Sequence, residues 1–364
     1  MNNKTLFIIN DGVYPFKIGG MEVFNYHLLK ALKDRCVLSY IATEEYDFSG
    51  LGYIRLPRLP LGRVLIPIYT FGYLFLHKNT RRVVLSFSAA HWVMWYLYYL
   101  IIRLLRLEAI IVIHYGKSVP EKHTCIYKWL FKSATYVVAV SDDIKYNYDN
   151  AFGIDCKVLY PLIPFEKSMK TSAECREIYG IPNDVKVFAM VGSLKSMKNP
   201  QTILGALAEM NEDEMHALNP YVVYAGDGYM RTEIEKYVSD NHLSGRVKLL
   251  GNIPNDKIRE IMTLADAYVI ASDFEGTSVS LLEAMYNSKT IIASDVPGIR
   301  DMIVDDNNGY LFKLGNSREL KRCMLKCLEN EEKQISLGIQ ARKDFDRKYN
   351  HTSMVDEYVC LIER

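Results

Sequence analysis

The hydrophobic residues of this chain gather into short runs of strand length, separated by stretches in which apolar positions return every three or four residues. In the first half the runs are Thr5 to Asn10, Val37 to Ala42, Val83 to Phe87, Ala109 to His114, Thr135 to Val140 and Lys157 to Leu159. Runs that are apolar without alternation belong to strands covered on both faces, as in a parallel sheet. With helical segments between most of them, the pattern predicts an α/β class built on an open parallel sheet. Pro161-Leu162-Ile163-Pro164-Phe165 breaks the rhythm and opens a linker through about Ser172. A second set follows: Val185 to Val191, Tyr221 to Ala225, Val247 to Leu249, Ala267 to Ala271, Thr290 to Ala293 and Gly309 to Phe312. A chain of 364 residues suits two domains better than one core. The expected divisions are 1–163, 173–340 and a tail, 341–364, whose Phe345, Tyr349, Met354, Tyr358 and Leu361 lie at near-helical spacing.

The most informative stretch is Ala271 to Asn287. The run ending at Ala271 is followed by the small residues Gly276, Thr277 and Ser278, then by the apolar stripe Val279, Leu282, Ala284, Met285 and Tyr286. This predicts a strand, a tight turn and a helix whose first N–H groups lack partners, a place suited to a phosphate. Glu275 and Glu283 flank that helix start. Carboxylates beside an anion site are suited to accepting hydrogen bonds from sugar hydroxyls. Two glutamates at this spacing also arise on an ordinary solvated helix face. Gly19-Gly20, after the first strand, opens a helix in the way nucleotide-binding α/β units do, although a Gly-Gly pair is also simply a turn. His114 ends a strand, where ligands gather in such sheets; its competing reading is a structural hydrogen bonder.

Composition changes the picture in two respects. Seven cysteines are scattered and odd in number, and no basic, apolar leader precedes Thr5, so a reduced cytoplasmic setting fits. The net charge of +1 conceals an asymmetry: residues 1–160 hold 19 Lys+Arg against 12 Asp+Glu, and the remainder 25 against 31. Between Leu51 and Lys132 there are 12 basic residues, and only Glu108 and Glu121 are acidic. The same window holds the aromatic segment His91 to Ile102, too short to span a bilayer once Arg103 and Arg106 interrupt it. Basic residues beside an aromatic segment suit adsorption to anionic lipid at the inner face of the cell membrane. The competing reading is a buried helix with its arginines at the surface. No nucleic-acid motif accompanies the charge.

Glu275, seven intervening residues and Glu283-Ala284-Met285 resemble the signature of glycosyltransferase family 4, also called glycosyl transferases group 1. The resemblance implies the GT-B architecture, two doubly wound Rossmann-like domains facing across a cleft, and a retaining transferase. Further landmarks fall in the family's order along the whole chain: Pro15 with Gly19-Gly20 and Glu22, Ile113-His114-Tyr115-Gly116, the strand ending in Ser141, Gly226-Asp227-Gly228, and Gly251-Asn252-Ile253-Pro254. By this resemblance, Gly19, Gly20 and Lys198 would lie on the donor diphosphate, with backbone groups at Gly276, Thr277, Ser278 and Val279. Gly226, Asn252 and Ile253 would line the nucleotide, and Glu283 would accept from the ribose. Glu275 and His114 would meet the transferred sugar. One position departs from the pattern, because Ser193 stands where the family usually has an arginine, a loss of a bidentate phosphate donor. Asp295-Val296-Pro297-Gly298 is adequately read as an ordinary turn.

The expected activity is transfer of a sugar from a nucleoside diphosphate sugar, with uridine diphosphate the expected carrier. The acceptor would be a hydroxyl of a glycan or lipid-linked molecule, as in surface polysaccharide or lipopolysaccharide assembly. No cofactor and no metal are expected. Two alternatives are a sugar-nucleotide-binding partner without catalysis, which the absent arginine favours, and a GT-B nucleotide-sugar epimerase, which would isomerise donor alone. By the same family resemblance, the last helix is expected to cross back to the first domain.

Overall fold

A computed structural model describes residues 4–8, 20–35, 38–42, 51–55, 62–87, 92–114, 119–161, 165–349 and 351–363. Gly19 and the loop 11–19, Tyr115-Gly116 and Leu162 to Pro164 lie outside the described residues. The chain divides into two compact units, Met1–Pro164 with Asn350–Arg364, and Phe165–Tyr349.

The first unit runs β1 (Lys4–Ile8), α1 (Gly20–Leu32), β2 (Leu38–Ala42), β3 (Gly52–Arg55), α2 (Gly62–Leu76), β4 (Thr80–Phe87) and α3 (Trp92–Leu105). It continues with β5 (Glu108–Ile113), α4 (Thr124–Ser133), β6 (Tyr136–Ala139), α5 (Asp142–Phe152) and β7 (Lys157–Val158). The strands form one parallel sheet in the order β3-β2-β1-β4-β5-β6-β7. The direction of travel across the sheet reverses between β1 and β4. Right-handed crossovers therefore put α2, α3, α4 and α5 on one face and α1 on the other. Phe87, Trp95, Tyr127, Phe131, Tyr148 and Phe152 form an aromatic core under that first face, several of them edge to face. Ser141 caps α5 by accepting the Ile144 N–H at 3.2 Å.

The second unit runs α6 (Ser172–Tyr179), β8 (Lys186–Val191), α7 (Pro200–Ala208), α8 (Glu212–Leu218), β9 (Pro220–Ala225), α9 (Arg231–Asp240), β10 (Val247–Gly251), α10 (Ile258–Leu264) and β11 (Ala267–Ile270). It ends with α11 (Val279–Tyr286), β12 (Thr290–Ser294), β13 (Tyr310–Phe312), α12 (Ser317–Glu329) and α13 (Glu331–Lys348). Its sheet is also parallel, in the order β10-β9-β8-β11-β12-β13, and reverses between β8 and β11. Core residues cover both sheet faces: Phe188, Leu204, Val222 and Ile292 on one side, and Val187, Ala189, Val223 and Ile261 on the other.

Strand β3, at the sheet edge, was absent from the sequence reading. Gly52-Tyr53-Ile54-Arg55 is short, and its end residues are exposed, so it has no apolar run to display. The near-helical tail resolves into two helices. Phe345 and Tyr349 pack in the second unit, whereas α14 (His351–Glu363) belongs to the first, where it packs on α1. In the aromatic segment, α3 buries Met94, Trp95, Tyr98, Ile101 and Ile102 and stops at Arg106, which adopts a left-handed φ of 50°. Among the described residues no helix is long and apolar enough to cross a membrane.

Candidate active site

In open parallel sheets ligands collect outside the carboxyl ends of the strands, where the strand order reverses. In the second unit that point is flanked by the loop after β8 and the loop after β11, and side chains bind these two loops together. The ammonium of Lys198, at the end of a 3₁₀ turn over Ser196–Lys198, donates to Glu275 Oε1 at 2.5 Å. The Asn199 side-chain amide donates to the Asp273 carboxylate, and the Asp273 N–H donates to the Met197 carbonyl at 2.9 Å. Ser272, fully buried, donates its hydroxyl to the same Glu275 oxygen at 2.6 Å. Glu275 is thus gripped from two sides and largely recessed, its side chain 11% exposed.

Beyond Glu275 the chain turns through Gly276 and Thr277 into α11. Ser278 is the N-cap residue, but its hydroxyl makes no capping bond and lies instead 3.4 Å from Ser280 Oγ. The helix therefore begins without a side-chain cap, and its first-turn N–H groups, Val279 among them, are available to an anion. Glu283 lies one turn inside. Its carboxylate accepts no hydrogen bond among the described residues, and burial pushes its acid up to about 8. Tyr268, whose hydroxyl donates to Ser280 at 2.7 Å, is close enough to both Glu275 and Glu283 for their charges to oppose its ionisation. The two glutamates therefore belong to one neighbourhood.

The turn after β12 supports this arrangement from behind. Ser294 donates to the Ser272 carbonyl at 2.7 Å. Gly298 has φ +80°, and a Cβ there would stand 2.0 Å from the Glu275 carbonyl oxygen and 2.8 Å from that of Gly276. A side chain at Gly298 would displace the backbone that carries Glu275. As sequence, Asp295 to Gly298 is an ordinary turn; its role depends on a neighbour more than twenty residues away, which no local pattern announces.

The remaining candidates in this unit line the same strand ends. Gly192 and Gly226 both have strongly positive φ, and a Cβ at Gly226 would collide with the Gly192 carbonyl at 1.9 Å, so the two loops touch backbone to backbone. Ser193 is half-buried, with its carbonyl accepting the Lys195 N–H, while Lys195 itself is exposed. Tyr229, not singled out from sequence, holds the same loop by bonding the Ser196 N–H and hydroxyl at 2.9 and 2.7 Å. Asn252 is exposed and Ile253 half-buried, just after Gly251, which itself has φ +70°.

In the first unit, Gly20 begins α1, and His114 follows β5. The His114 ring meets Phe24 edge on at 4.5 Å. Its Nε2 is buried with no hydrogen-bond partner among the described residues, and desolvation lowers its pKa to about 3. His114 is consequently a neutral imidazole at ordinary pH, able to hydrogen-bond a ligand but not to serve as a charged acid.

Two parallel-sheet α/β units of this kind correspond to the GT-B architecture, and comparison with known proteins agrees. The model of glycosyl transferases group 1 matches residues 171–344. That stretch lies within the second unit, which therefore carries a group 1 glycosyltransferase domain. It is similar to two uncharacterized glycosyltransferases of Methanocaldococcus jannaschii. One is 29% identical over 244 residues, 66% of this chain and 61% of that protein, so the match leaves over a third of that relative unspanned. The other is 26% identical over 346 residues, 93% of this chain and 92% of that one. Anabaena HepE, solved in complex with UDP, has the same fold with a TM-score of 0.81 at 18% identity, covering 99% of each chain.

Proposed function

We propose that this protein transfers a sugar from a UDP-sugar to a hydroxyl of a glycan or lipid-linked acceptor, with retention of anomeric configuration. The setting would be surface polysaccharide or lipopolysaccharide assembly at the cytoplasmic face of the membrane. The observation that carries the reading is the joining of Lys198, Glu275 and the uncapped start of α11, with Glu283 one turn in, at the switch point of one sheet. HepE, of the same fold, is known with UDP and with UDP-glucose, which favours uridine diphosphate as the carrier.

In the ligand-free protein the ammonium of Lys198 is neutralised by Glu275. A bound diphosphate, carrying more charge, competes for that ammonium. Lys198 then turns to the phosphates, and Glu275, still held by Ser272, becomes free to accept from a sugar hydroxyl and to shield the positive anomeric centre. Charge builds on the leaving diphosphate as the glycosidic bond breaks. Lys198 and the N–H groups at Thr277 to Val279 stabilise it electrostatically. These donors make the reaction independent of metal, so a chelator should leave turnover unchanged. No side chain serves as nucleophile; the acceptor hydroxyl attacks from the face the diphosphate leaves, and a phosphate oxygen takes its proton. Glu283 accepts from the ribose hydroxyls, and neutral His114 hydrogen-bonds the sugar.

The test is UDP release from a panel of UDP-sugars, with and without acceptor. Glu275→Ala should lower kcat by about a hundredfold or more while UDP still binds. Near-normal turnover in that variant would remove Glu275 from the mechanism. Binding of donor without acceptor-dependent UDP release would favour the non-catalytic partner that the absent arginine at Ser193 suggests, and isomerised donor would favour an epimerase.

A further inference from the structure

Helix α2 lies on the same face of the first unit's sheet as α3 and α4, with α3 packed between the other two. A helix on the outside of a domain normally shows water a polar stripe. The outward stripe of α2 is Ile68, Tyr69, Gly72, Phe75 and Leu76, and it contains no charge. Leu76 is 77% exposed, Phe75 57% and Ile68 56%. The opposite side of the helix, with Ile66, Thr70 and Leu74, is already buried, so the apolar exposure is additional to the core. The neighbouring helices extend the surface. Leu104 on α3 is 70% exposed and Trp129 on α4 50%, and the Trp129 ring lies 6.0 Å from that of Tyr99 on α3.

The charges on the helices of this surface have one sign. Helices α2, α3 and α4 contain no Asp or Glu. Arg103, Lys128 and Lys132 are exposed on α3 and α4, Lys78 and Arg81 lie just beyond α2, and none of the five has an ion-pair partner among the described residues. Of the two acids in this stretch, Glu108 is already paired with Arg82, and Glu121 is exposed just ahead of α4, so the rim stays net basic. An exposed apolar face of this extent marks a contact surface, and the rim decides what it meets. Two copies of this chain joined through the same face by a two-fold axis would set cations against cations. A bilayer carrying anionic headgroups matches both components: its interface takes up aromatic and aliphatic side chains, and its phosphates attract the basic rim.

We infer that the α2–α3–α4 face docks this protein on an anionic bilayer, with Ile68, Phe75, Leu76 and Leu104 entering the interface and Arg103, Lys128 and Lys132 on the headgroups. This deepens the peripheral location proposed above, and it holds whatever the donor proves to be. The intact chain should sediment with vesicles of phosphatidylglycerol in phosphatidylcholine and not with phosphatidylcholine alone, and added salt should release it. Phe75→Glu with Leu76→Glu should weaken vesicle partition at least tenfold. Arg103→Gln, Lys128→Gln and Lys132→Gln should each weaken it about fivefold. Ile339→Glu, at an exposed apolar position of the second unit, should leave it unchanged. Thermal midpoints of the variants report folding, and UDP-induced thermal shifts are scored separately, so loss of lipid binding is distinguishable from failure of the transferase reading. The inference is overturned if anionic vesicles fail to bind the wild type or bind Phe75→Glu/Leu76→Glu equally well. It is also overturned if the wild type forms a dimer that Leu76→Glu dissolves.

Discussion

Glu283 holds its proton well above the ordinary carboxyl range, with a pKa near 8 against 4.5. Between those values the folded protein keeps a proton that the unfolded chain releases, so stability falls as pH rises through that window, and the full loss is present above about pH 8. Glu283→Gln removes the titration. It should raise the thermal midpoint by a few degrees at about pH 9 and leave it unchanged at about pH 4. Equal shifts at both would show that burial of the charge is not what the substitution relieves. If ribose hydroxyls donate to the carboxylate, binding must drive off that proton. UDP affinity should then rise by up to about tenfold per pH unit toward pH 8 and level off above it. Calorimetry in buffers of different ionisation enthalpy would register the released proton, whereas a flat profile with no proton release would remove Glu283 from the ribose. Gly298 offers a separate test, since its contact falls on the Glu275 backbone. Gly298→Ala should lower kcat much more than it weakens UDP binding. Gly315 has nearly the same φ, +71°, with nothing near its missing side chain. Gly315→Ala should therefore lose about 1 kcal/mol of stability and keep its kcat; parallel losses in the two variants would reduce Gly298 to backbone strain.

At the level of elements, the site is two strand-to-helix loops held in register by Lys198–Glu275, Asn199–Asp273 and the Asp273 N–H. Lys198→Met breaks the first tie and removes the phosphate donor while Asn199–Asp273 keeps the loops together. UDP affinity should drop by about tenfold, because the diphosphate is proposed to rely on this ammonium; unchanged UDP affinity would move the diphosphate elsewhere. Strands such as Ala109 to Ile113 and Ala267 to Ile270 are buried on both faces, so each must be apolar throughout and is visible as a run. The glutamates on either side of the start of α11 are visible because they are neighbours in the chain as well as in space. Asn199, Tyr229 and Gly298 act through partners brought close only by the fold, whereas Ser272 bonds Glu275 only three residues away and simply looks like any small polar turn residue. In α2, too, only the packed helices show that Ile68, Phe75 and Leu76 face outward.

On the scale of the molecule, the chain finishes by completing its first unit, not its second. Helix α14 buries Met354, Tyr358, Leu361 and Ile362, and Tyr358 reaches the Leu159 carbonyl with its hydroxyl at 3.2 Å. Arg35 and Asp356 also pair at 2.8 Å, but both are about half exposed, so the pair contributes little beside the burial. Tyr358 is fully enclosed and supplies both packing and a hydrogen bond. Tyr358→Ala should therefore destabilise by about 3–5 kcal/mol, and the loss should fall on the unit to which the helix belongs. The second unit has its own parallel sheet and its own core on both faces, so its stability does not draw on Tyr358. Calorimetry should resolve a transition that moves down in the variant and another that stays. The stationary one should be the transition that UDP raises, because every proposed nucleotide contact except Gly19, Gly20 and His114 lies between residues 165 and 349. If both transitions fell together, the two units would unfold as one cooperative body. If UDP raised the transition that Tyr358→Ala lowers, the nucleotide would belong to the first unit, and the roles proposed for Lys198 and Glu283 would have to be abandoned.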